Sequence, residues 1–177
     1  GGDIHQRMTF LERIYNRIRE QIDSVPIALK MNCDDFVDGG LTINESMIVA
    51  ERMTDLGIDL IEISGGGFDR DSSLKPRANH SDSKLAEVTY AGHAEKIRMW
   101  TRNLPLALVE GFKHRSVMDE IIERDIADIV SMSRPFIREP DLVKKLRNGQ
   151  EDTSCTRCDA CSSSEVFGKV MLECQLD

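Results

Sequence analysis

Four short apolar runs recur along the 177-residue chain: IALKMN (27–32), IDLIEIS (58–64), PLALV (105–109) and ADIVSM (127–132). Each is too short for a buried helix, and each is separated from the next by a stretch of helical character. A run that is apolar throughout, rather than alternating, predicts a strand with both faces covered, as in a parallel sheet flanked by helices. Four parallel strands make either a small open sheet or half of an eight-stranded barrel. The pattern alone does not separate the two.

The intervening segments read as helices. Phe10, Leu11, Ile14, Ile18 and Ile22 form a stripe over residues 7–22. Thr42 with Glu45 has the spacing of a capping box, and the helix it opens stops at Gly57. A third helix is expected over residues 85–102, a fourth from the Ser116/Asp119 pair, and a last one from Pro140 to Gly149. Residues 68–84 are polar and without period, which predicts a long loop.

Composition narrows the function classes. Thirty-one acidic against 23 basic residues give a net charge of −8, which argues against a nucleic-acid binder, because phosphates need a positive field. No apolar stretch is long enough to span a bilayer, and residues 1–10 lack a signal-peptide pattern. A soluble, cytoplasmic protein acting on a small molecule, with no nucleic-acid or membrane partner, is the expectation.

In parallel α/β folds ligands gather at the carboxyl ends of the strands. Those ends carry Asn32 and Asp34, then Ser64 and Gly65–Gly67, then Glu110 and Gly111, then Ser133 and Arg134. Gly111 with Ser133 and Arg134 has the makings of a phosphate cradle: backbone N–H groups from adjacent loops plus a guanidinium fork. A plain turn glycine and an arginine paired with a carboxylate would look the same. Lys30, inside the first run, calls for an interior ligand, a water-filled mouth, or a partner among Asp34, Asp35 and Glu62. The four histidines have no ligand spacing, Tyr90 reads as packing, and Cys33 reads as a small buried apolar residue.

The other four cysteines close the chain. Cys155, Cys158 and Cys161 form C-x-x-C-x-x-C, with Cys174 after twelve further residues. Zinc sites usually use two separated C-x-x-C pairs. Three clustered thiolates and a remote fourth suit a [4Fe–4S] cubane better. Zinc and unmetallated thiols remain the alternatives.

Several segments together resemble one family. GGDIHQRMTFLERIYNRIRE is similar to the Y-G-G-S-x-E-N-R-x-R-F helix of the old yellow enzymes, the flavin-dependent NADH:flavin oxidoreductases. IALKMNCDDFVDGGLTINES resembles that family's strand-five motif, and LVEGFKHRSVM its strand-seven glycine loop. SMSRPFIREPDLVKKLRNG followed by CTRCDAC resembles the last strand and tail of the barrel. The cysteine spacing is similar to that of the trimethylamine dehydrogenase branch, where it holds a [4Fe–4S] cluster beside the flavin.

The resemblance implies the C-terminal half, strands five to eight, of a TIM (β/α)8 barrel over residues 1–150, and a cysteine-rich tail over 151–177. It implies FMN as cofactor and NADH or NADPH as reductant, with hydride passing through FMN to an acceptor such as an activated alkene. Lys30 matches the basic residue at the flavin N1–C2=O edge. Glu110 and Gly111 match the FMN-phosphate loop. Ser133 and Arg134 match the Gly-Arg pair that also holds the phosphate, and Cys155, Cys158, Cys161 and Cys174 match the cluster ligands. His5, Gln6, Glu110 and Ser133 depart from the family pattern, and a carboxylate at 110 would repel phosphate unless it turned away. The strands that carry the family's substrate-binding pair and proton-donating Tyr have no counterpart here, so no catalytic residue is assigned. The expectation is a partial chain that needs a missing N-terminal half-barrel or associates with itself. The rival expectations are a non-catalytic half-barrel and a small zinc-binding α/β protein.

Overall fold

The computed structural model describes residues 1–22, 24–66, 80–166 and 168–176. Its order is α1 (Ile4–Gln21), β1 (Ala28–Asn32), α2 (Ile43–Leu56), β2 (Leu60–Ser64), α3 (Ala91–Arg98), β3 (Leu106–Val109), α4 (Arg115–Glu123), β4 (Ile129–Ser131), α5 (Arg134–Arg138) and α6 (Leu142–Arg147). The four strands pair in sequence order, all parallel. Gly67 and most of the stretch read as a long loop lie outside the described residues. Among the described residues no helix is long and apolar enough to cross a membrane.

Local signals start the first two helices. Asp3 accepts the Gln6 amide at 2.9 Å while the Gln6 side chain accepts the Asp3 amide, a capping box absent from the sequence reading. The expected Thr42/Glu45 box is present, and Gly57 ends α2 at φ +90°, a conformation open to glycine at little cost. Other boundaries move. The expected 85–102 helix is confined to α3, with Tyr90 at its N-cap and a 3₁₀ turn over Ser83–Leu85. The fourth helix starts at Arg115 without a side-chain cap. The last helix, expected from Pro140 to Gly149, is α6, which starts two residues later behind the N-cap Asp141, and Pro140 lies between it and the short α5.

The strands were expected to be covered on both faces; β3 is, whereas β1, β2 and β4 are covered on one face only. Ile61, Ile63, Leu106 and Leu108 are fully buried under the helices with Ala50, Ala94 and Ile97. The alternate positions form a second face. Lys30, Glu62, Ala107 and Ile129 stand in one cross-strand row, and the Lys30 side chain is 58% exposed. β2 therefore alternates in burial despite its apolar sequence, whereas Leu106, Ala107 and Leu108 of β3 are all buried. Apolar residues such as Ile129 lie on a face that the described residues leave open.

The stripe that identified α1 also lies outward. Phe10 is 73% exposed, and Ile14, Ile18 and Ile22 are exposed beside it, whereas Met8 and Tyr15 are buried. Tyr15 donates to the Leu56 carbonyl at 2.9 Å, and Arg52 donates to Glu12 at 2.6 Å, tying α1 to α2. The 3.6-residue period is thus correct, but of two apolar stripes the helix buries the shorter one.

One brace occurs twice at the amino ends of the strands. Asp59 accepts the Ile27 amide at 2.8 Å and the Arg19 guanidinium at 2.8 Å. Asp128 accepts the Leu106 amide at 2.8 Å and the Arg98 guanidinium at 2.6 Å. Each Asp precedes an even-numbered strand, and each Arg comes from the helix before the neighbouring odd-numbered strand. The chain is in this respect two copies of one unit.

Candidate functional site

The loops at the carboxyl ends of β3 and β4 come together. After β3 the chain reverses through two consecutive left-handed residues, Glu110 (φ +82°) and Gly111 (φ +100°). A Cβ at Gly111 would stand 2.0 Å from the Glu87 carbonyl oxygen, so this position requires glycine twice over. Glu87 holds the loop from below: its carboxylate accepts the Lys113 and His114 amides, both at 3.0 Å, and contacts the His114 ring. After β4, Ser133 and Arg134 face the same space. Val109, Glu110, Gly111, Ser133, Arg134 and Arg157 are among the residues around a cavity of about 50 Å³. That is room for a few waters or one tetrahedral oxyanion.

Arg134 donates to Glu110 at 3.0 Å through Nη2 and to Asp159 through Nη1. Glu110 therefore has not turned away from the pocket. Arg157 donates to the Gly111 carbonyl at 3.0 Å. Sequence reasoning missed Arg157 and Asp159, although they are the only charged residues between Cys155 and Cys161.

Lys30 pairs with Glu62 at 2.6 Å, one of the three partners considered from sequence, and both project from the open face of the sheet. Tyr90 donates to the Gly65 carbonyl at 2.8 Å, and burial pushes its phenol above the ordinary range, which suits packing. Cys33 is fully buried, and burial pushes its thiol up to about 12. His93 is held below its usual value by burial and stands edge-on to Phe36.

The tail is anchored before it reaches the cysteines. Arg115 donates its amide to Glu151 and Thr153 donates to Lys113, at 2.7 and 2.9 Å. Buried Glu139 accepts the Ser154 amide at 2.6 Å and the Gln150 side chain at 3.0 Å. Cys155, Cys158, Cys161 and Cys174 then line a single cavity of about 110 Å³, together with Arg134, Arg138 and Arg157. Arg138 donates to the Cys174 sulfur at 3.4 Å. The Ala160 amide, with the Thr156 hydroxyl, holds the Cys158 thiol below its usual value, whereas burial raises that of Cys161. Among the described residues no three His, Cys, Asp or Glu side chains converge closely enough to hold one metal ion.

A sequence model of the NADH:flavin oxidoreductase / NADH oxidase family matches residues 1–153. The chain belongs to that family. Among its relatives, the NADH oxidase of Thermoanaerobacter brockii is 26% identical over 181 residues, covering all of this chain and 27% of the relative. The solved 2-naphthoyl-CoA reductase complex superposes with a TM-score of 0.83 at 24% identity, over all of this chain and 26% of its own. The old yellow enzyme homologue from Zymomonas mobilis superposes with a TM-score of 0.61 at 19% identity, over 85% of this chain and 39% of its own. The likeness to both structures is one of fold: a parallel α/β sheet of the old yellow enzyme barrel type. The chain spans about a quarter to two-fifths of the length of these family relatives.

Proposed function

We propose that the chain is the carboxyl-terminal half, strands five to eight, of a cytoplasmic flavin-dependent (β/α)8 oxidoreductase. NADH or NADPH reduces FMN in the complete enzyme, and an acceptor such as an activated alkene is reduced in turn. The observation that carries the reading is the meeting of Gly111 and Arg134, from neighbouring strand ends, around one oxyanion-sized cavity in a member of this flavin family.

The residues present fit an FMN phosphate. Gly111 brings bare backbone to the cavity, and Arg134 and Arg157 supply guanidinium donors. Arg134 already holds carboxylate oxygens there, so its donors are placed for an anion. Lys30 stands on the open face at the middle of β1, where its charge would stabilise reduced flavin. FMN supplies the hydride chemistry when bound. The chain's residues supply binding, orientation and electrostatics.

The tail fits an iron–sulfur cluster better than a zinc ion. Four thiolates around one zinc sit about 2.3 Å from the metal and must converge on a point. Here the four cysteines border a common space, and their spacing, three clustered and one remote, is the one that suits cubane ligands. Arg138 beside Cys174 offsets part of the thiolate charge. Elemental analysis of anaerobically purified protein distinguishes iron with sulfide from zinc.

A second reading concerns assembly. The open sheet face and the outward apolar stripe of α1 support a half-barrel that is completed by a partner half or by a second copy. A stable monomer by size-exclusion mass would count against it. The flavin reading is tested by the anaerobic absorbance spectrum with and without added FMN, and by Arg134→Ala. That variant is expected to weaken FMN binding in the complete enzyme by about tenfold or more, the scale of a lost charge-assisted contact. Unchanged affinity removes the phosphate assignment.

A further inference from the structure

Arg134 and Arg157 border two cavities at once: the one ringed by the cysteines and the one between the loops after β3 and β4. The two carboxylates on Arg134 are divided between those cavities. Glu110 lines the loop cavity and Asp159 lines the cysteine cavity. They also take opposite ends of the guanidinium fork, Glu110 on Nη2 and Asp159 on Nη1. An anion entering the loop cavity therefore meets Glu110 directly, while Asp159 remains behind the arginine.

The backbone supports this division. Arg157 and Asp159 adopt φ +57° and +62°, left-handed conformations that non-glycine residues rarely adopt without compensating contacts. Those contacts are the bonds donated by Arg157 to the Gly111 carbonyl and by Arg134 to the Asp159 carboxylate. The turns of the cysteine cluster are thus bent so that Arg157 reaches the other cavity directly and Asp159 reaches the arginine that both cavities share.

Resting on the FMN-phosphate reading above, we propose that Asp159 is a positioning residue for Arg134 and that Glu110 is a resident anion displaced by the phosphate. Asp159 fixes the guanidinium from the cysteine side and leaves Nη2 aimed into the loop cavity. Glu110, with an exposed side chain, swings to solvent when phosphate takes its place. The grip on the phosphate then depends on the order of the cysteine tail. By linkage, phosphate binding stabilises the tail by the same factor.

Electrostatics alone makes the opposite forecast for one of the two residues, which makes the proposal testable. Removing either carboxylate deletes a negative charge near the pocket, so a pure charge effect strengthens anion binding in both cases. Positioning makes Asp159→Ala weaken binding while Glu110→Ala strengthens it. The probe is inorganic phosphate, which does not require the flavin ring to be held. Its ³¹P line broadening is followed on the full chain at constant ionic strength, with chloride as the control. We expect about tenfold weaker binding for Asp159→Ala, partial recovery for Asp159→Glu, and about tenfold tighter binding for Glu110→Ala, the equivalent of ~1.4 kcal/mol each way. If Asp159→Ala binds as well as or better than the wild type, while Arg134→Ala loses binding, the positioning role is overturned and the phosphate reading stands. If the wild type does not bind, or Arg134→Ala binds equally well, both fall. A tail disordered by Asp159→Ala does not remove the test, because failure of Glu110→Ala to tighten binding overturns the displacement independently.

Discussion

Lys30 and Glu62 meet at 2.6 Å across β1 and β2, in direct register and on the face of the sheet that the helices do not cover. An ion pair so exposed contributes about 0–1 kcal/mol to stability, because water and salt screen it. Lys30→Met is therefore expected to leave the melting temperature of the chain nearly unchanged, as measured by circular dichroism. A large loss of stability would mean that this face is covered in solution by another copy or another segment.

Gly111 and Gly149 have nearly the same φ, +100° and +98°, but different surroundings. A Cβ at 149 meets nothing within 4 Å, whereas at 111 it strikes the Glu87 carbonyl oxygen at 2.0 Å. Gly149→Ala is expected to cost about 1–2 kcal/mol, the strain of a left-handed alanine. Gly111→Ala adds a backbone collision and is expected to cost about 3 kcal/mol or more. Urea denaturation of the two variants side by side checks the difference, and equal losses would mean that the loop relaxes freely.

Glu139 carries a pH dependence. Burial alone would raise its carboxyl pKa, but the Ser154 amide, Gln150 and Lys145 together hold it down at about 2. Its ordinary unfolded value is about 4.3. With the folded value depressed, the stabilisation is fully present above the unfolded value and is lost as pH falls from about 4 toward 2. The melting temperature should fall as pH is lowered across that window in the wild type, and fall less in Glu139→Gln. At neutral pH the variant is expected to lose about 1–3 kcal/mol, because a charged acceptor of buried donors is gone.

The five cysteines should differ in reactivity. Cys158 is exposed and its thiol is held below the usual value, so the metal-free, reduced chain should be alkylated there first at neutral pH. Cys33 is fully buried with its thiol pushed up to about 12, and it should react only when the whole domain unfolds. Peptide mapping after timed alkylation reads this order directly. Early labelling of Cys33 would contradict the packing around β1.

The parts of this fold legible in the sequence are those fixed by local chemistry. The four strands, the Thr42/Glu45 box and the stop at Gly57 all follow from neighbours along the chain. The face each element presents was harder to read. The Phe10–Ile14–Ile18 stripe looks like a buried face, yet Tyr15 and Met8 occupy that role, because α1 packs on α2 through a hydrogen bond that periodicity does not encode. The same holds at the rim. Gly111 and Arg134 were identifiable as strand-end residues, whereas Asp159, Arg157 and Glu87 act across 25 to 46 positions of sequence through contacts that only folding creates.

The twin Asp–Arg braces, Asp59 with Arg19 and Asp128 with Arg98, sit at the opposite end of the strands from Gly111 and Arg134. Each fastens the start of one strand to its neighbour and to a helix, so the footing of the sheet is held by contacts that involve none of the loops at the far end. Loops at the far end, Glu110 and the cysteine tail among them, can therefore be altered without touching the foundations, which have the same alignment in both halves of the chain.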